Sequence, residues 1–118
     1  MYPNMQIKSV TVEDKEIKTC GEGYIVNLDE WSDGFIYAQA KVEGLELTIE
    51  HLDVIYFLRE YYAKHGVQCE VRKMVKHFKI AWDEERGTSS YLHRIFPNGG
   101  PQKQGNRLAG LLRTKGEH

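Results

Sequence analysis

A chain of 118 residues, 41% hydrophobic and 28% charged with three prolines, has the size of one domain able to bury its own core and excludes a disordered chain. The two cysteines, Cys20 and Cys69, lack CxxC spacing and the density of a disulfide framework, and neither an apolar leader in MYPNMQIKSV nor a bilayer-length apolar run is present. A reducing cytoplasm is therefore the expected location, and no membrane partner is expected. The net charge of −1 hides a division, because residues 1–57 carry 4 Lys+Arg against 11 Asp+Glu whereas residues 58–118 carry 12 against 6. Such asymmetry is one way to build a basic binding face.

The segment IKSVTV at 7–12 alternates apolar and polar residues, Glu13, Asp14 and Lys15 offer turn chemistry, and Glu16 to Thr19 can return, so a β-hairpin opens the fold. Gly21 and Gly23 break regularity. Asn27 or Asp29 is a candidate cap for a helix over about Glu30 to Val42, ended by Gly44. The strongest pattern follows, with Thr48 as N-cap, Glu50 in the first turn and Leu52, Ile55, Leu58 and Tyr62 at three- and four-residue steps up to Gly66. A further amphipathic helix is expected from about Glu70 to Trp82, with Val71, Met74, Val75 and Phe78 on its apolar face. Gly87 to Ser90 reads as a loop and cap before a short helix through Tyr91, Leu92, Ile95 and Phe96, which Pro97 stops. After the turn at 97–101 a last helix covers Gln102 to about Leu108, and Ala109 to His118 reads as a small, basic arm.

Three blocks, LTIEHLDVIYFLREYY at 47–62, SSYLHRIFPNGGPQKQ at 89–104 and NRLAGL at 106–111, together resemble the DsrC/TusE family of sulfur-relay proteins. That family includes the gamma-subunit-like protein of dissimilatory sulfite reductase and the TusE proteins of tRNA 2-thiolation. Asn27 to Trp31 also resembles its N-terminal region, so the resemblance covers nearly the whole chain. It implies a mostly α fold, α+β in class: an N-terminal β-hairpin, a compact bundle of about five helices, and a C-terminal arm at 109–118 within a single domain over 1–118.

The resemblance also marks where this chain departs from its relatives. Sulfur-carrying members end in a Gly-Cys-aliphatic tripeptide, and redox-active members add a second cysteine upstream. The corresponding positions here are Glu117 and Asn106, and Leu112 and Thr114 stand where the family has arm prolines. A persulfide relay needs a thiolate that attacks sulfane sulfur and then releases it, which neither an amide nor a carboxylate can do. No catalytic residue is thus expected at Asn106 or Glu117. The arm region keeps its cations, and Lys103, Gln104, Arg107, Leu111, Arg113 and Lys115 are the candidate partner-binding residues, with charge steering the arm into an acidic groove.

Other sites carry weaker signals. Cys20 and Cys69 match no family motif, although Arg72 and Lys73 follow Cys69 closely, and each reads more readily as a small packing residue than as a reactive thiol. His51, His65, His77, His93 and His118 form no zinc spacing, so neither a metal nor another cofactor is expected. Arg72, Lys73, Lys76 and Lys79 make one face of the 70–82 helix basic, and the turn before it loosely suggests a helix-turn-helix that would take DNA. A solvated helix face explains that run equally, and the pI of about 6.5 is low for a dedicated nucleic-acid binder. The functional expectation is a non-catalytic protein-binding or regulatory member acting on sulfite-reductase or sulfur-relay partners. Two alternatives stand beside it: a TusE-like sulfurtransferase that uses another thiol, and a DNA-binding regulator.

Overall fold

The computed structural model describes residues 7–111. Strands β1 (Lys8–Val12) and β2 (Lys15–Thr19) form an antiparallel pair in which Val10 faces Ile17. The hairpin closes with Glu13 and Asp14 both at positive φ, 48° and 69°, so the two-residue turn takes Lys15 into the strand instead of the connection. Val10 and Ile17 point to the same side and are buried with Ile25 and Phe35, which seats the hairpin on the first helix.

Five helices follow: α1 (Asp33–Glu43), α2 (Ile49–His65), α3 (Val71–Ala81), α4 (Ser89–Ile95) and α5 (Gly100–Leu108). The mostly helical architecture expected from the sequence is what forms. Its first helix starts later than the cap residues suggested, because Asn27 caps a separate 3₁₀ turn over Leu28–Glu30 by accepting from the Asp29 amide at 3.1 Å. Trp31 then runs extended, freeing its ring to turn toward α5.

Helix α2 begins as its sequence indicates, with an addition that cap rules do not supply. The Thr48 side chain receives the His51 amide while His51 Nδ1 accepts from the Thr48 amide at 3.0 Å, so a histidine fills the reciprocal role usually held by Glu or Gln. With Nδ1 accepting, Nε2 carries the proton and donates to the Ile95 carbonyl at 2.6 Å, joining α2 to the end of α4. Val54, Ile55 and Leu58 of α2 are fully buried with Met74, Phe78, Leu92, Phe96 and Leu108, giving a core to which every helix contributes.

Helix α5 starts at Gly100, with Pro101 in its first turn, where a missing N–H costs nothing. Of the segment expected as a basic arm from Ala109, Ala109 and Leu111 are buried in the core. Residues 112–118 lie outside the described residues, as do Arg113, Lys115, Glu117 and His118.

Candidate docking site at the root of the C-terminal arm

Polar residues dominate α5, yet from Gly100 to Leu108 only Gln102 and Lys103 keep appreciable exposure. Its buried charge, on Arg107, is satisfied internally. Glu43, in the last turn of α1, accepts from Arg107 through Nε at 2.9 Å and Nη2 at 2.6 Å, a two-pronged pair whose side chains are each 6% exposed. The same carboxylate accepts from Gln39 and Gln104, both at 2.9 Å, and from the Asn98 side chain at 3.2 Å. Gln104 accepts from the Asn98 amide at 3.1 Å, and Arg107 donates to the Asn98 carbonyl at 3.0 Å. Burial by itself would raise the Glu43 carboxyl, but the hydrogen bonds and charge of Arg107, with help from Gln39 and Gln104, hold it below its ordinary value. Burial likewise opposes the Arg107 cation, and Glu43 more than compensates.

A second clamp lies immediately downstream. Trp31 Nε1 donates to the Leu108 carbonyl at 3.0 Å, Arg59 donates to the Ala109 carbonyl at 2.7 Å, and the Arg59 guanidinium lies 3.6 Å from the centre of the Trp31 ring. Both carbonyls belong to the end of α5, where no intrahelical donor remains, so the clamp supplies the missing C-terminal partners. Gly110 then turns at φ 71°, and a Cβ there would lie 2.2 Å from the Trp31 ring. Glycine is required on both counts.

Three of the expected partner-binding residues are buried: Gln104 is 0% exposed, Arg107 5% and Leu111 7%, and the first two turn their side chains onto Glu43. Lys103 remains exposed beside an open groove of about 270 Å³ lined also by Glu22, Tyr24, Asn98 and Gly99. Asn106 is fully buried, and neither polar atom of its carboxamide has a hydrogen-bond partner among the described residues. Glu43, Asn98, Trp31 and Arg59 were not singled out as site residues. Their roles depend on contacts spanning from 9 to 77 positions of sequence, which no local pattern reveals.

The thiols differ. Cys69 is 0% exposed, donates to the Glu70 carbonyl at 3.4 Å, and is pushed up to about 11 mainly by burial, which makes its thiolate scarce. Cys20 is partly exposed at the start of the tight turn after β2, where its amide donates to the Tyr24 carbonyl at 2.8 Å. On α3, Arg72, Lys73, Lys76 and Lys79 are all exposed, and Lys73 donates to the Tyr61 hydroxyl at 3.0 Å. Among the described residues no group of three His, Cys, Asp or Glu side chains is placed to hold a metal, and no helix is long and apolar enough to cross a membrane.

A hairpin and five helices, the last of them clamped twice, define a small scaffold. The chain belongs to the DsrC-like protein family, whose model matches residues 11–116. Sulfurtransferase TusE of Salmonella choleraesuis is 43% identical over 99 residues, covering 84% of this chain and 90% of that protein. The NMR structure of DsrC from Allochromatium vinosum is 39% identical, with a TM-score of 0.82 over 96% of this chain and all of that one. The crystal structure of the oxidized gamma-subunit of the dissimilatory sulfite reductase, DsrC, from Archaeoglobus fulgidus is 33% identical, with a TM-score of 0.79 over 88% of this chain and 94% of that one. These relatives support a sulfur-relay role. They favour the TusE-type alternative over the regulatory role that the sequence reading placed first, and the DNA reading rests on the exposed basic face of α3 alone.

Proposed function

We propose that this protein is a component of a TusE-type sulfur relay that engages a relay partner through the exposed edge of α5 and the arm beyond Leu111. The observation that carries this reading is the double clamp on α5. A buried ion pair at Glu43 and Arg107 and the Trp31–Arg59 grip on the last helical carbonyls together fix the point from which the arm departs. Such fixing reduces the ordering cost that a docking segment must overcome. Lys103, Arg113 and Lys115 are then the cations that meet an acidic groove on the partner.

Sulfur carriage on this chain has one candidate thiol. The amide of Asn106 and the carboxylate of Glu117 cannot take up sulfane sulfur, and burial disfavours the Cys69 thiolate. The partly exposed Cys20 is left, and the name sulfurtransferase borne by the relatives supports testing it first.

Incubating the purified protein with a persulfide donor and measuring intact mass separates the two forms of the proposal. A gain of about 32 Da per sulfur that disappears in Cys20→Ser assigns carriage to that thiol. No gain, together with competition against a TusE-type sulfurtransferase for its relay partners, assigns docking alone. A protein that neither gains sulfur nor competes has no place in such a relay.

A further inference from the structure

A groove of about 330 Å³ runs between α2 and α3, and none of the residues that clamp the arm root lines it. Helix α2 contributes Asp53, Tyr56, Phe57 and Glu60, spaced so that they share one face, while Leu58 and Arg59 of the same helix are turned to α5 and Ala109. His77 and Phe78 of α3, with Trp82 just beyond it, complete the wall. Among the described residues, none of α5 lines the groove.

Its rings form a continuous chain. Phe57 stacks on His77 with centroids 4.2 Å apart, meets Phe78 edge-on at 5.4 Å, and Phe78 stacks in turn on Trp82 at 4.2 Å. The rim is acidic. Asp53 accepts from Trp82 Nε1 at 3.0 Å, and Glu60 is exposed with no side-chain hydrogen bond or ion pair among the described residues. Tyr56 is fixed at the edge by donating to Asp33 at 2.6 Å. Among the described residues neither Lys nor Arg lines the groove, and Lys73, one turn before His77 on α3, is directed to Tyr61.

We propose that this groove is a second docking surface, which takes an arginine side chain from a basic segment of a protein partner. The carboxylates give charge complementarity, and the half-buried Phe57 and Trp82 with the exposed His77 give ring surface on which a planar cation stacks, while the buried Phe78 backs them. Arginine fits better than lysine, since its flat guanidinium covers a ring while presenting N–H groups to a carboxylate at the edge. The fold already stacks a guanidinium on a ring elsewhere, with Arg59 over Trp31 at 3.6 Å, and Arg86 lies 5.8 Å from the Trp82 ring. Phe57 and His77 have no such cation among the described residues. The chain thereby gains two separate contact surfaces of opposite charge preference: a basic one at the arm root for an acidic partner, and an acidic aromatic one for a basic partner.

The test uses the full-length protein, isotope-labelled for NMR, and two blocked pentapeptides, Gly-Gly-Arg-Gly-Gly and the same peptide with citrulline, which keeps the shape and loses the charge. The arginine peptide is expected to shift the Trp82 indole signal and amides within 53–60 and 77–82 at millimolar concentration, with the citrulline peptide about tenfold weaker. Glu60→Gln, an exposed substitution that leaves the fold intact, should bring the arginine peptide down to the citrulline level. Equal binding of the two peptides would overturn the proposal, as would an absence of groove shifts at about 5 mM arginine peptide. Shifts confined to α5 and its neighbours would also overturn it, by placing cation recognition at the other surface.

Discussion

The most consequential single residue for the arm is Glu43, because five N–H donors, from its own helix, the turn at Asn98 and α5, converge on one buried carboxylate. Arg107→Ala leaves that charge without its counterion in a place water does not reach, and a loss of about 3–5 kcal/mol is expected in urea denaturation. The pH dependence has a definite sign. The folded Glu43 carboxyl titrates below its ordinary value of 4.5, so the stability it contributes is present above that value and is lost as pH falls through the lower, folded one. Wild type should accordingly exceed Glu43→Gln most at neutral pH, and the gap should close in acid. A gap that is constant from pH 7 to about pH 3 would mean that the ionised carboxylate contributes nothing. Asn106 shows the opposite economy. Its carboxamide is buried with both polar atoms unpartnered among the described residues, so Asn106→Leu, which keeps similar volume, should raise stability by about 1–2 kcal/mol. A large loss instead would reveal a partner for that amide.

At the scale of elements, the hairpin and α2 were legible because their signals are local: alternation around a polar turn in one, and Thr48 followed by three- and four-residue apolar steps in the other. Helix α5 was harder to interpret. Its Gln104, Arg107 and Lys103 read as an outward face, and only Lys103 is outward, since the polar groups that absorb Gln104 and Arg107 lie 61 and 64 positions earlier at Glu43. The same distance in sequence concealed the grip of Trp31 and Arg59. A glycine comparison isolates that grip. Gly44 and Gly110 share a left-handed φ near 70°, but a Cβ at Gly44 meets nothing within 4 Å, whereas one at Gly110 strikes the Trp31 ring. Gly44→Ala should cost about 1 kcal/mol, from backbone strain. Gly110→Ala should cost about 3 kcal/mol, because the ring must also move from its place against Arg59 and the Leu108 carbonyl. Equal melting temperatures for the two variants would show that the ring yields freely and does not hold the arm root.

Across the whole molecule, the acidic first half and basic second half meet each other as well as solvent. Glu43 with Arg107 and Glu50 with Arg86 are pairs between the halves, and Glu50 also accepts from the Tyr91 hydroxyl. Part of the charge division visible in the sequence is therefore neutralised by folding, and two groups of second-half cations stand to be compared as partner contacts: those on the exposed face of α3, and Lys103 with Arg113 and Lys115 of the expected arm. These two groups make different predictions. If the relay partner is met at the arm, reversing Arg113 and Lys115 to Glu should slow association and weaken binding by about tenfold or more, since steering charges act chiefly on the encounter rate. The salt dependence should flatten in the same variant, because the screened attraction is what has been removed. The melting temperature should not change, as both positions lie beyond the buried Leu111. Replacing Arg72, Lys76 and Lys79 by Ala, on α3, should leave this association untouched and serves as the matched control for lost positive charge. Surface-binding kinetics at two salt concentrations distinguish the cases. A larger effect from the α3 variant than from the arm variant would move the docking surface to α3 and leave the clamped arm root without the role assigned to it.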